Sequence, residues 1–301
     1  MTGAIDALER AFAELDADAL PLRSHLDVPG GELLLMPAHG HGGVGVKLVT
    51  ISPGNAERGL PLIHGVFVLF SSQTLQPDAI LDGAALTSLR TAAVSGLATR
   101  HLARDDATRL AIFGAGVQAR THLAAMCAVR PIEEVLVVGR DPERADALVR
   151  LASELGVAAT VGTAAEAARW AHVICTCTTS REPVLAGGDV RPGAHVNAIG
   201  AYRPDRREVD GALLARATVV VESRRAALAE AGDVILAIAE GCIAASDIAG
   251  DLSDVVTGTV RRTGPRQITV YKSVGLAFED LVVARAAVGG AGKVERQGRR
   301  A

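Results

Sequence analysis

Aromatic residues make up only 3% of the 301-residue chain, and the 49% hydrophobic content is carried largely by alanine and aliphatic side chains. Charge of one sign is also lacking. The formal net charge is -3, which provides no basic footprint for nucleic acid. The arginines at Arg203, Arg206 and Arg207 are offset by Asp205, Glu208 and Asp210. Cysteines number four, and Cys127, Cys175, Cys177 and Cys242 lack paired metal-ligand spacing. A chain of this size needs no disulfide staples, so Cys175 and Cys177, two apart in an apolar run, are expected as small core residues and no metal site is expected. No run of about 18 apolar residues occurs, so no membrane span is expected. No signal peptide is recognised, and the expected compartment is the cytoplasm. Internal repeats are absent, and the polar segment from Gly289 onward is expected to fray.

What is present is a globular composition and a strong local motif. Arg109–Phe113 is a short apolar run of buried-strand type. Gly114-Ala115-Gly116-Val117-Gln118-Ala119 follows, then an amphipathic helix over 119–129 and a second strand over 134–138. This is the G-x-G-x-x-G/A turn in the strand–turn–helix–strand context that gives it meaning. Gly114 makes the tight turn, Gly116 lets backbone approach a pyrophosphate, and Ala119 permits close packing. The anion then rests on the helix N-terminus. After the second strand comes Gly139-Arg140-Asp141. Asp141, ahead of Pro142, is expected as a helix N-cap. That leaves Arg140 for a 2′-phosphate or for stacking on adenine, so NADP(H) is favoured and NAD(H) allowed.

The periodicity predicts a helix over 4–15, then strands over 32–36, 45–51, 65–70 and 79–81. They are separated by glycine- and proline-rich loops, including 40–43, and a helix follows over 87–103. Few helices interrupt these strands, which points to a mostly antiparallel sheet. From Arg109 strands and helices alternate, with further strands over 157–161, 173–177, 195–199, 218–221 and 267–271. A last helix over 273–287 is expected to pack back on the first unit. The expected class is α/β: a doubly wound Rossmann dinucleotide-binding domain (96–272) plus a smaller α+β substrate and dimerisation domain (1–95 with 273–301).

Several further motifs join the glycine turn. They are Gly45-Val46-Lys47, Pro53-Gly54-Asn55, Gly59-Leu60-Pro61, Leu81-Asp82-Gly83 and Leu89-Arg90-Thr91-Ala92-Ala93. Later come Val196-Asn197-Ala198-Ile199-Gly200, Arg203-Pro204-Asp205 with Glu208 and Asp210, and Lys272-Ser273-Val274-Gly275 with Glu279-Asp280. In combination these resemble the ornithine cyclodeaminase/μ-crystallin family over roughly residues 4–288. The resemblance implies a homodimer that binds NAD(H) or NADP(H) and acts on amino acids, their imines or keto acids. Such chains usually carry an extra strand and turn ahead of the first helix, supporting the dimer sheet, whereas this sequence starts almost inside that helix.

The resemblance implies substrate contacts from Arg23, Lys47, Arg90 and Val274, with Lys47 and Arg90 also catalytic. It implies cofactor contacts from Thr91, Gly114, Gly116, Val117, Gln118, Arg140, Asn197 and Ser273. Chemically, guanidinium forks and an ammonium suit a carboxylate. Taken by spacing alone, Lys47 is either on a wet strand face or buried with an anion. Where cyclodeaminases and alanine dehydrogenases of this family carry an aspartate, this chain has Tyr202, a poor base at neutral pH. That substitution favours reduction of a small cyclic α-imino acid, such as Δ1-pyrroline-2-carboxylate, over cyclodeamination. The alternatives are an amino-acid dehydrogenase or reductive aminase, an ornithine cyclodeaminase, and a crystallin-like binding protein without turnover. Asp205 is expected to cap the segment holding Glu208 and Asp210, and His64 to be an ordinary loop or strand-edge histidine; each is also a candidate proton handler.

Overall fold

The computed structural model describes residues 1–40 and 43–298, with the side chains of Ala56 and 290–298 left aside. Helix α1 (Thr2–Phe12) buries Ile5, Leu8, Ala11 and Phe12 on one stripe and stops three residues short of the expected end. Five antiparallel strands follow: β1 (Ser24–Val28), β2 (Gly31–Gly40), β3 (Gly43–Ile51), β4 (Ile63–Ser71) and β5 (Pro77–Asp82), hydrogen-bonded in chain order. β1 was not expected, because its side chains are mostly exposed and show no alternation. The turn expected at 40–43 falls partly on 41–42, outside the described residues.

The period-two pattern sends Leu34, Met36, Lys47, Val49, Phe67 and Leu69 to the buried face. The opposite face carries Leu33, Leu35, Val44, Val46, Leu48, Val66, Val68 and Ile80. Val66 is 42% exposed and Ile80 73% exposed, so this is a broad apolar sheet face open to solvent.

Helix α2 (Gly83–Leu102) starts four residues earlier than expected. The Asp82 carboxylate accepts the N–H groups of Ala84 at 2.8 Å and Ala85 at 3.0 Å, which caps that extra turn. α2 runs unbroken across residue 95 into an alternating region. There the elements are β6 (Arg109–Phe113), α3 (Val117–Val129), β7 (Glu134–Val138), α4 (Pro142–Glu154), β8 (Ala158–Val161), α5 (Ala164–Trp170), β9 (Val173–Thr176), β10 (His195–Ala198), α6 (Gly211–Arg216) and β11 (Ala217–Val221). Then come α7 (Arg224–Glu230), α8 (Gly232–Ala239), β12 (Ile248–Asp251), α9 (Leu252–Val256), β13 (Ile268–Lys272) and α10 (Ala277–Gly298). β12, a short edge strand, was also not expected.

The eight strands form one parallel sheet in the order β12-β11-β13-β10-β9-β6-β7-β8. The chain winds outward from β6 to β8, then returns to β9 and winds the other way. The order reverses between β6 and β9, and in such sheets the crevice beyond the carboxyl ends at this point is where ligands bind.

The last helix begins at Ala277, not at Ser273, because Gly275 adopts φ +84 and the Val274 and Gly275 N–H groups bond to Glu222 instead of continuing a helix. α10 then packs on α1, α2, β2, β3 and β4, with Phe278 edge-to-face on Phe12 at 5.9 Å. It continues to Gly298, past the point where fraying was expected. Among the described residues, no helix is long and apolar enough to cross a membrane.

Candidate active site

β3, α2 and the start of α10 meet where the buried face of the antiparallel sheet approaches the parallel sheet. Lys47 lies mid-β3 on the inward face and is 1% exposed, which decides between the two readings that spacing left open. Its Nζ lies 2.7 Å from Asp280 Oδ2 and donates to Thr87 Oγ1 at 3.1 Å. Arg90, almost one turn after Thr87 on α2, donates through Nε to Asp280 Oδ1 at 3.2 Å and through Nη1 to Glu279 Oε2 at 3.0 Å. Asp280 therefore bridges the two cations. Nη2 of Arg90 meets no acceptor among the described residues.

Burial is the largest single influence on Lys47, Arg90 and Glu279 alike. It lowers the Lys47 ammonium to about 8, with Asp280 opposing the shift and Arg90 and Arg23 adding to it. Burial also disfavours charge on Arg90, but Asp280, Glu279 and Glu222 outweigh it and hold the guanidinium more firmly protonated than a free one. Burial, then repulsion from Glu222, pushes the Glu279 carboxyl well up.

Arg23 reaches the same region from the loop before β1. It donates to the carbonyls of Val274 at 2.6 Å and Gly275 at 2.7 Å, and pairs with Glu230 at 2.9 Å. Glu222, directly after β11, accepts from Tyr271 Oη at 3.0 Å, Ser273 Oγ at 2.5 Å, Val274 N at 3.1 Å and Gly275 N at 2.6 Å. One carboxylate thus shapes the 273–275 loop. A side chain at Gly275 would collide with the Arg90 guanidinium, so glycine is required there for both φ and space. Arg23, Lys47, Arg90, Val274 and Ser273 are therefore brought into one neighbourhood. A cavity of about 10 Å³ lies against Arg23, Glu230 and Gly275, room for one water.

At the switch point, Gly114 has φ +102, and a Cβ there would lie 2.5 Å from the Cys177 carbonyl oxygen at the end of β9. Glycine is needed as much for that close approach as for the turn. Gly116 is the N-cap of α3, offers no side-chain cap, and has open space where its Cβ would be. The first-turn N–H groups of α3 are thus presented at an unfilled cradle. Val117 is exposed beside it, and the buried Gln118 Oε1 has no partner among the described residues. This arrangement fits a dinucleotide pyrophosphate. Arg140 stands exposed after β7. Asp141 is withdrawn as the α4 N-cap, accepting from Arg144 N at 3.2 Å, as expected. Thr91 is buried on α2, which packs along α3.

Two expectations need correction, and two acidic groups gain a role. The Asn197 side chain is not presented to the cleft; it is fully buried and its Nδ2 donates to Thr99 Oγ1 at 2.9 Å. Asp205 caps nothing: it is exposed and lies 3.8 Å from Arg203, while Asp210 is the N-cap of α6. Glu208 is buried and accepts from Thr178 N at 2.6 Å and Gly200 N at 2.5 Å, joining the ends of β9 and β10. Asp233 pairs with Lys272 at 2.8 Å. His64 lies on β4 in the outward register, exposed and remote from Lys47. Tyr202 is partly buried against the apolar cluster of Leu34, Met36, Val49 and Ile51, and burial, then Glu32, raises its hydroxyl above the ordinary value. Among the described residues, no group of three or more His, Cys, Asp or Glu side chains is placed to hold a metal.

A Rossmann sheet with an open phosphate cradle, joined by α2 to a second sheet that carries the buried Lys47, defines a dinucleotide-binding protein with buried cations beside it. The chain belongs to the ornithine cyclodeaminase/mu-crystallin family, whose model matches residues 1–290. It is 39% identical to a Delta(1)-pyrroline-2-carboxylate reductase of Bacillus cereus, over 95% of this chain and 90% of that protein. Among solved structures it resembles the Delta(1)-pyrroline-2-carboxylate reductase of Thermococcus litoralis in complex with NADH and L-proline, with TM-score 0.92 and 38% identity over 97% of this chain and 93% of that one. An archaeal alanine dehydrogenase dimer with bound NAD matches with TM-score 0.92 and 34% identity over 98% and 92% of the two chains.

Proposed function

We propose that this chain reduces a small cyclic α-imino acid, Δ1-pyrroline-2-carboxylate or its six-membered homologue, to the amino acid with NAD(P)H. The observation that carries this reading is the environment of Lys47 and Arg90: two buried cations with unused donors, in a chain that has Tyr202 in place of the aspartate a cyclodeaminase would use. Tyr202 stays neutral, Asp205 points to solvent beside Arg203, and His64 is on the far face of the sheet. Removal of a proton from a substrate amine, which cyclodeamination requires, therefore finds no acceptor in Tyr202, Asp205 or His64. A protonated ketimine already carries the proton its product nitrogen needs. The two relatives named for reduction of Δ1-pyrroline-2-carboxylate support the same choice.

In this account Lys47, Arg90 and Arg23 bind the substrate carboxylate, and the 273–275 loop braced by Glu222 orients the ring. A nicotinamide dinucleotide held at the Gly116 cradle would supply the hydride. The protein's contribution is position: holding the imine carbon in a fixed place and excluding water strengthens every charge contact in the cleft. We take the substrate-bearing unit to be 1–95 with the last helix and the dinucleotide-binding unit to be 96–272; residues 299–301 lie outside the described residues.

An NADPH-oxidation screen across five- and six-membered cyclic imino acids, and across keto acids with and without ammonia, tests the reading. Turnover of a cyclic imino acid without ammonia, and no proline or ammonia from ornithine, is the expected result. Strict dependence on ammonia and a linear keto acid would move the protein to the dehydrogenase class.

Arg140 is assigned to the 2′-phosphate, because Asp141 is committed to its helix. NADPH is expected to bind more tightly than NADH, and Arg140→Asp to reverse or abolish the preference in a fluorescence titration. An unchanged preference would remove Arg140 from the cofactor site.

The chain is taken to be a homodimer that pairs the outward apolar faces of two antiparallel sheets. Val66→Asp with Ile80→Asp should yield monomers in sedimentation velocity where the parent protein is dimeric; a dimer that survives both charges would place the interface elsewhere.

A further inference from the structure

The amino-terminal edge of the parallel sheet, opposite the glycine turn, carries an arginine cluster that no step above uses. Arg109 opens β6 and Arg104 precedes it. Arg169 lies in the last turn of α5, Arg191 comes before β10 and Arg266 before β13. With Pro192 and Pro265 these side chains line a cavity of about 520 Å³, within the roughly 300–1,000 Å³ range of small-molecule sites. Parallel topology produces the convergence. Where every strand points the same way, the residues leading into each strand share one edge, however far apart they are in sequence.

The charges do not balance. Arg104 Nε donates to Asp106 at 2.8 Å and Arg169 to Asp189 at 2.8 Å. Arg109, Arg191 and Arg266 meet no carboxylate among the described residues. Arg109 instead lies over the Trp170 ring, 5.5 Å from its centroid, with Nη2 2.9 Å from His172 Nε2. Arg191 donates to the Trp170 carbonyl at 3.1 Å. Neutral partners therefore orient two guanidinium groups without cancelling their charge. The resulting field is felt nearby: burial, then Arg109, Arg191 and Arg104, depress the His172 imidazole to about 4.

We propose that this cavity binds a small polyanion bearing two or more phosphate groups, held by Arg109, Arg191 and Arg266, independently of the cofactor turn. Planar guanidinium forks match phosphate oxygens in pairs, and three unmatched cations around one concavity call for a multiply charged ligand. β6 separates the two sites by five residues, about 16 Å at the usual strand rise of roughly 3.3 Å per residue, so both can be filled together. The phosphates could belong to an inorganic chain or to a nucleoside polyphosphate.

The test is calorimetric titration of tripolyphosphate, and separately ATP, into protein saturated with NADPH at low salt; the saturation keeps added phosphate away from Gly116. Arg191→Ala and Arg266→Glu serve as variants, the second at an exposed side chain with no partner to lose, and thermal melting checks that both fold. Saturable binding that weakens about tenfold or more in each variant, and weakens as salt rises, is expected, with NADPH affinity unchanged. Equal binding of both ligands would assign recognition to the phosphate chain; tighter binding of ATP would add a contact to the nucleoside. No saturable binding, binding indifferent to both variants, or tighter binding of a duplex oligonucleotide than of either ligand would overturn the proposal.

Discussion

Asp280 pairs with Lys47 on one side and accepts from Arg90 on the other, so one fully buried carboxylate ties β3, α2 and α10 together. Removing three charges from solvent is costly. Losing any one partner would leave an uncompensated charge in the interior, an effect typically of about 3–5 kcal/mol. The geometry of the cleft follows from that constraint. α10 must return to the antiparallel sheet to deliver Asp280. The 273–275 loop must turn sharply at Gly275 to clear Arg90. Glu222 must brace that loop from the end of β11. The same buried cations that hold the units together are the groups a substrate carboxylate would find.

The parallel sheet gives the protein two chemically different ends. At the carboxyl ends of its strands, Gly114 makes the close turn against β9, and Gly116 leaves backbone N–H groups and open space, a directional cradle of the kind that suits a pyrophosphate. At the amino ends, side-chain cations from successive crossovers gather without enough carboxylates to match them. The first end relies on backbone dipoles and the second on net charge, so they should differ sharply in sensitivity to salt.

Much of the fold could be seen in the sequence because burial leaves a strong pattern. β6 and β7 have the expected bounds, and the glycine turn stands where its context placed it. β1 and β12 were missed because an exposed edge strand and the sequence Ile248-Ala249-Gly250-Asp251 carry no apolar alternation. α10 was started too early because Val274 and Leu276 fit a helical stripe, whereas hydrogen bonds to Glu222, distant in sequence, decide the local backbone. At the site, Lys47, Arg90 and Arg23 came from the family resemblance, and burial then chose between the alternatives for Lys47. Their counter-ions Asp280 and Glu279 were noticed only as a motif. Glu222 went unremarked, though an acid directly after Val219-Val220-Val221 was a usable signal: a charge at the carboxyl end of a buried strand lies on the ligand-facing edge of such a sheet. Asn197 came from the same resemblance, and its side chain is buried on Thr99, because a strand covered on both faces turns alternate side chains away from the cleft.

The central claim is that the buried Lys47 ammonium, poised by desolvation, receives the substrate carboxylate. The direct measurement is kcat/KM for the imino acid between pH 6.5 and 10, for the parent enzyme and for Lys47→Arg. kcat/KM reports ionisations of the free enzyme and free substrate. A lysine lowered to about 8 is charged below that pH and loses its charge above it, so kcat/KM should fall through a one-proton limb near pH 8. A guanidinium stays charged throughout, so Lys47→Arg should remove that limb, while any limb belonging to the substrate imine stays in both proteins. A parent profile without the limb, or one that persists unchanged in Lys47→Arg, would contradict the claim.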